Sequence, residues 1–128
     1  MSIAPKDLLS LAKRIVSAGE SEVDFRNAMG RAYYAAYHEA KRFHDSLPSP
    51  GNAPPSKVGV HAELAFRLQR PTIQQSDPRF RTSQNVGWHM TWLHDKRINA
   101  DYRLQQSIGQ HDSAQTVARS ERVFELCQ

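Results

Sequence analysis

Residues 26–43 read RNAMGRAYYAAYHEAKRF, and this stretch decides the fold class. Its small and apolar residues, with the phenylalanine just before it, recur at steps of three and four positions, which is the period of one face of an α-helix. They are Phe25, Ala28, Met29, Ala32, Ala36, Ala40 and Phe43. Ser21 followed three residues later by Asp24 has the spacing of a capping box. The pattern predicts one long helix over residues 21–45.

Two further helices are predicted on either side of a proline-rich segment. Apolar residues at helical spacing predict a first helix over residues 5–18, with Pro5 in its first turn. Residues 46–57 contain four prolines and one glycine, so they cannot continue a helix. We expect a linker or loop that is disordered, forms a lid or faces a partner. Apolar residues at 60–68 predict a short third helix that ends near residue 70.

The second half of the chain is also predicted to be helical. Asp77 and Pro78 have the form of an N-cap and a first-turn proline. A fourth helix follows to about residue 104, and its apolar stripe consists of Val86, Met90, Leu93, Ala100 and Leu104. Asp112 and Ser113 are expected to cap a fifth helix. No segment alternates with a period of two, and no hairpin signal is present, so no sheet is predicted.

The composition is that of an ordinary soluble globular protein, with 39% hydrophobic and 23% charged residues. We predict that residues 1–128 form a single all-α domain, an up-and-down bundle of four to five helices. The formal net charge of +4 is a mild bias toward anionic partners. Cys127 is the single cysteine and excludes an intramolecular disulfide. Without a predicted signal peptide or membrane anchor, we expect a cytoplasmic protein.

Arg97 is the most informative polar residue because it falls on the apolar stripe of the fourth helix. A buried guanidinium without a partner is costly, so the side chain must be paired or must line a groove. Asp101, four residues further on, is a candidate partner for an ion pair. The other interpretation is an arginine that binds an anion. The sequence leaves both open.

A second arrangement of polar residues lies on the long helix. Arg31 and His38 are seven residues apart, so they share one face, and Tyr34 lies close to it. An arginine can hold a phosphate, and a histidine that titrates near neutral pH can move a proton. A solvated polar face is the alternative interpretation.

Trp88 and Trp92 share a face of the fourth helix on the side away from the apolar stripe. Packing against another helix is the first explanation, a homodimer interface the second and base stacking the third. The six histidines form neither HxxxH nor HExxH, so we predict no metal site. No glycine-rich phosphate loop, GxSxG elbow or zinc-finger spacing is found, and no cofactor is predicted.

Two segments resemble those of a known superfamily. RAYYAAYH at 31–38 and KRINADYRL at 96–104 resemble the HEPN domain superfamily, whose members are small helical bundles that stand alone in prokaryotes or lie beside nucleotidyltransferases. The resemblance implies a four- or five-helix bundle and a homodimer with a groove at its two-fold axis. It also implies an RNA- or nucleotide-binding module in a toxin–antitoxin or phage-defence system. The ligand-binding residues would be Arg97, Asp101, Tyr102, Arg31 and Tyr34.

Two alternatives to a binding module stay open. Active members resemble one another in an arginine followed four to six residues later by a histidine. Arg97 matches the arginine, but no histidine follows it at that distance. An active metal-independent endoribonuclease toxin would therefore depend on Arg97, His38 and Arg31. The other alternative is a non-catalytic module that pairs with a nucleotidyltransferase through the tryptophan face and the proline-rich loop.

Overall fold

The computed structural model describes residues 3–128, which form five α-helices and, within that range, no strand. The helices are α1 (Pro5–Ala18), α2 (Glu22–Asp45), α3 (Val60–Gln69), α4 (Pro78–Tyr102) and α5 (Gln110–Leu126). The predicted all-α helical bundle is confirmed. None of these helices combines the length and the apolar content needed to cross a bilayer.

The long helix α2 lies at the centre of the bundle and contacts each of the other four helices. Its N-terminus is the predicted capping box, in which Asp24 N–H donates to Ser21 Oγ and Ser21 N–H donates to the Asp24 carboxylate. Alanines on its buried faces leave room for close neighbours. Ser120 of α5 uses this room to donate a buried hydrogen bond of 2.8 Å to the Ala32 carbonyl.

The largest cluster of buried side chains joins α2, α3, α4 and α5, and Tyr33 is part of it. A second cluster joins α1 to α2 and α5, and a third lies under the C-terminal end of α4. Because all three clusters contain residues of α2, this helix positions α3 and α4 on one side and α1 on the other.

The C-terminal end of α5 is held by α2. Arg42 forms a two-point ion pair with Glu39, at 2.9 Å for each hydrogen bond, and its Nη2 donates to the Cys127 carbonyl at 3.1 Å. The free Cys127 side chain is buried beside this pair. Burial and the Glu39 carboxylate raise the pKa of the Cys127 thiol to about 12.

Two helix ends lie about two residues from their predicted positions. α4 ends at Tyr102, and Leu104 is not on the buried stripe, since 70% of it is exposed. The chain leaves the helix here because Arg26 of α2 binds carbonyl groups of its last turn and of the residues beyond. α5 begins at Gln110, and Asp112 lies inside its first turn, where its carboxylate accepts from Gly109 N–H at 3.0 Å.

The first part of the proline-rich segment is tied to the end of α3. Gly51 has a φ of 79°, in the left-handed region that favours glycine, and its carbonyl accepts a 2.9 Å hydrogen bond from Arg67. Asn52 N–H donates to the Arg70 carbonyl at 2.9 Å. These bonds hold the segment beside the helix that it precedes in the chain.

Candidate anion-binding site

Arg97 of α4 points toward α2, and its side chain is only 15% exposed. Its Nη2 donates to Tyr34 Oη at 3.0 Å, and its Nε lies 2.9 Å from Asp101 Oδ2. The predicted pairing with Asp101 is therefore present. The Nε–H is not aimed at that oxygen, however, so the buried Nε atom makes no hydrogen bond within the chain.

Two guanidinium groups share the ring of Tyr34. The Cζ atoms of Arg31 and Arg97 lie 5.7 and 5.4 Å from its centroid, and Arg97 also lies 5.3 Å from the ring of Tyr102. The Nε of Arg31 is buried without a hydrogen-bond partner in the chain, and no ion pair within residues 3–128 includes Arg31. Asp101 is thus paired with Arg97 alone, and the two guanidinium groups have one carboxylate between them. We call Arg31, Tyr34, Arg97, Asp101 and Tyr102 the arginine cluster.

Histidines from two other positions lie beside the arginine cluster. His61 of α3 and His94 of α4 have nearly parallel rings with centroids 6.0 Å apart. The Nδ1 of His61 is 2.7 Å from Tyr33 Oη, and Tyr37 packs on the same ring with centroids 4.4 Å apart. The buried hydroxyl of Tyr33 holds the His61 ring in place. Burial raises the pKa of Tyr33, so this hydroxyl stays protonated.

The surroundings of His61 favour its neutral form. Burial is the largest cause of its lowered pKa, and the charges of His94, Arg97 and His38 lower it further. At neutral pH a neutral imidazole therefore stands beside the positive charge of Arg97. Such a group can accept a proton, which is a requirement for a general base.

The structure brings five of the six predicted site residues together in the arginine cluster. His38, the sixth, is exposed and lies on the next turn of α2, where the centroids of its ring and that of Tyr37 are 5.5 Å apart. It is close enough to His61 to lower the pKa of that histidine, but no hydrogen bond joins it to Arg97. The ligand-binding and catalytic roles of these six residues stay predictions.

Sequence reasoning missed His61 and His94. His94 was within reach of that reasoning, because it lies three residues before Arg97 and so on a neighbouring part of the same helix face. The family pattern, however, has its histidine after the arginine and so gives no weight to a histidine that precedes Arg97. His61 gave no local signal, since α3 brings it in from a distant part of the sequence.

A groove between α3 and α4 continues from the histidines. Its volume is about 220 Å³, and its walls include His61 and His94 at one end and Gln69 and Arg70 at the other. Within residues 3–128, no three His, Cys, Asp or Glu side chains are placed to bind a metal ion. The site therefore consists of two arginines, their shared tyrosine and a short groove that begins at two imidazoles.

The lowered pKa of His61 predicts a dependence of stability on pH. At pH values between the lowered pKa of His61 in the folded protein and the value of about 6.5 in an unfolded chain, the unfolded state binds a proton on His61 more readily than the folded state does. The free energy of unfolding is therefore expected to fall as the pH is lowered below about 6.5. Urea unfolding at pH 7.5 and 5.5 measures this fall, which should be smaller in His61→Gln. The matched control is the exposed His111→Gln, and an equal fall in both variants would contradict the prediction.

The chain was also compared with known proteins. It matches no protein-family model, and neither a curated protein nor a solved structure is significantly similar to it. The all-α fold and the arginine cluster therefore rest on the structure of this chain alone. Its membership of the HEPN superfamily stays a prediction from the two sequence segments that resemble it.

Proposed function

We propose that the arginine cluster binds a backbone phosphate of RNA. The observation that carries the proposal is that Arg31 and Arg97 lie on one tyrosine ring, each with a buried Nε that has no hydrogen-bond partner in the chain. With Asp101 as the one carboxylate beside two guanidinium groups, the cluster keeps a net positive charge in a partly buried place, which is unfavourable. A phosphate supplies both the negative charge and the oxygen acceptors that guanidinium groups bind best.

Two neighbouring features favour a nucleotide unit over a free inorganic anion. Tyr102 is 65% exposed and stands against Arg97, so its ring is accessible to a base beside the phosphate. The groove that begins at His61 and His94 provides a path for the strand on the other side of Arg97. The positive net charge of the chain adds a general attraction for RNA.

Binding of a labelled single-stranded RNA to purified variants tests this proposal. Arg97→Ala is expected to weaken binding by about ten- to a hundredfold, because a hydrogen bond to a charged group contributes about 1.5–3 kcal/mol. The slope of log affinity against log salt should also become shallower by about one. Arg31→Ala should act in the same direction.

Arg14→Ala is the matched control for this experiment. Arg14 is an exposed arginine on α1 without an ion pair among the described residues. Its replacement removes one positive charge, as Arg97→Ala does, so the two variants have the same net charge. Equal affinities of the two variants would show that the arginine cluster does not bind the strand.

A second candidate function is metal-independent cleavage of the bound RNA, which is favoured by the histidines beside Arg97. A neutral His61 can take the proton of a ribose 2′-hydroxyl, which then attacks the adjacent phosphorus, while the arginines stabilise the charge on the phosphorane. His94 or the exposed His38 can protonate the leaving 5′-oxygen. The products would be a 2′,3′-cyclic phosphate and a 5′-hydroxyl end.

The same RNA incubated in EDTA distinguishes binding from cleavage. An active ribonuclease should give cyclic-phosphate ends that disappear in both His61→Ala and Arg97→Ala. Retained binding without cleavage in the wild type would leave a binding module. The proposals of a homodimer and of a toxin–antitoxin or defence setting rest on the resemblance of the two sequence segments alone.

A further inference from the structure

A second group of basic and aromatic side chains lies on the opposite side of α4, where it packs against α5. Trp92 is half-buried there, with the Cζ of Arg119 at 4.2 Å and the Nζ of Lys96 at 5.1 Å from its ring. A pocket of about 290 Å³ opens beside it. Its walls are His89, Trp92, Gln115, Ala118, Arg119 and Arg122.

The cations of this surface are poorly compensated. No ion pair within residues 3–128 includes Lys96 or Arg119, and Arg122 reaches Glu125 only at 3.8 Å. The charges of Arg119 and Arg122 add to burial in lowering the pKa of His89, so protonation of this imidazole is unfavourable. The neighbouring glutamate of α5, Glu121, is bound to α1 through Lys13 at 2.8 Å. The surface therefore has an excess of positive charge.

Trp88 is an exposed aromatic residue on the same side of α4 as these cations. It lies one turn of α4 before Trp92, and 63% of it is exposed. The prediction that the two tryptophans pack against another helix thus holds for Trp92 only, because its partner Arg119 belongs to α5. An exposed indole one helical turn from a group of poorly compensated cations is the combination with which proteins bind single-stranded nucleic acid, where bases stack and phosphates meet positive charges.

We propose that this α4–α5 surface binds single-stranded RNA, with a base stacked on Trp88 and the adjoining phosphates at Lys96, Arg119 and Arg122. The surface is separate from the arginine cluster, because Arg97 faces α2 and Trp92 faces α5. It does not depend on the function proposed for that cluster. A strand that reaches both sites would wrap around the exposed side of α4.

The tryptophans themselves provide the measurement, since Trp88 and Trp92 are the only two in the chain. Titration of the Arg97→Ala protein with an unlabelled oligouridylate should quench its tryptophan fluorescence, because this variant keeps the α4–α5 surface intact. Adding Trp88→Ala should weaken the remaining affinity by about tenfold, as expected for the loss of one stacked base. Trp92 then still reports binding. Adding Arg122→Ala, at a side chain that is 56% exposed, should make the salt slope shallower by about one.

Arg14→Ala, added to the same Arg97→Ala background, controls for the loss of one charge. The proposal is overturned if oligouridylate leaves the tryptophan fluorescence of Arg97→Ala unchanged, or if the Trp88 and Arg122 variants bind as tightly as the Arg14 control. Either result would leave this surface to a protein partner. Failure of the arginine cluster would have a different signature, namely equal affinities of wild type and Arg97→Ala with normal quenching in both.

Discussion

Replacing Arg26 with alanine is expected to lower the free energy of unfolding by about 3 kcal/mol. The guanidinium of Arg26 is paired with Glu22 and donates to the carbonyls of Asn99 and Ala100 at 3.0 and 2.9 Å. It also donates to the carbonyls of Arg103 and Gln106. One side chain of α2 thus binds two carbonyls in the last turn of α4, which has no basic residue of its own there, and two more in the residues that follow.

Urea unfolding measures this effect, and Arg103→Ala is the matched control. Arg103 is an exposed arginine in the same region whose hydrogen bond, to the Asn99 side chain, stays within its own turn. We expect the control to change the stability by less than about 0.5 kcal/mol. Similar midpoints for the two variants would show that the bonds of Arg26 do not hold the end of α4. Because Asp101 and Tyr102 belong to that end, Arg26→Ala should also weaken RNA binding under conditions where it is folded.

Replacing Gly87 with alanine is expected to lower the free energy of unfolding by about 2 kcal/mol, although alanine is the better helix former. Gly87 lies where α4 crosses α3. A Cβ atom there would stand 2.7 Å from Gln69 Cγ, 2.8 Å from the Gln69 backbone nitrogen and 3.1 Å from the Ala65 carbonyl. Backbone atoms cannot move aside cheaply, so the two helices would have to separate.

For Gly30→Ala we expect the opposite effect on the free energy of unfolding. Gly30 is also buried within a helix, but the nearest atom to its added Cβ is Asp101 Oδ1 at 3.8 Å, an ordinary contact. This variant is expected to gain up to about 1 kcal/mol from the higher helix propensity of alanine. Thermal or urea unfolding of the two variants, compared with the wild type, checks the opposite signs. Equal shifts would mean that the close crossing of α3 and α4 does not limit the side chain at 87.

The parts of the fold that the sequence predicts correctly are those with local causes. The limits of α1 and the capping box at Ser21 follow from residues within one or two turns of each other. The end of α4 was predicted two residues too late because Leu104 continues the apolar spacing. The side chain that ends the helix there, Arg26, is more than seventy residues away in the sequence. No periodicity can reveal such a contact.

The same distinction applies to the candidate site. The pairing of Arg97 with Asp101 could be predicted, since residues four apart on a helix are neighbours. The contact of Arg97 with Tyr34 depends on how α2 packs against α4, so spacing along either helix could not predict it. His61 enters through α3 and is held by the buried hydroxyl of Tyr33, which comes from α2. Its place beside Arg97 is a property of the assembled bundle.

The buried thiol of Cys127 makes the native chain its own probe of local opening. With a pKa of about 12, the thiol has almost no thiolate at neutral pH, and the reactive form needs the last turn of α5 to leave the bundle. When the turn closes again faster than the reagent attacks, the rate of alkylation by iodoacetamide divided by that of a free thiol equals the equilibrium constant for this opening. The single cysteine therefore allows the local opening of the C-terminus to be measured without any engineered label.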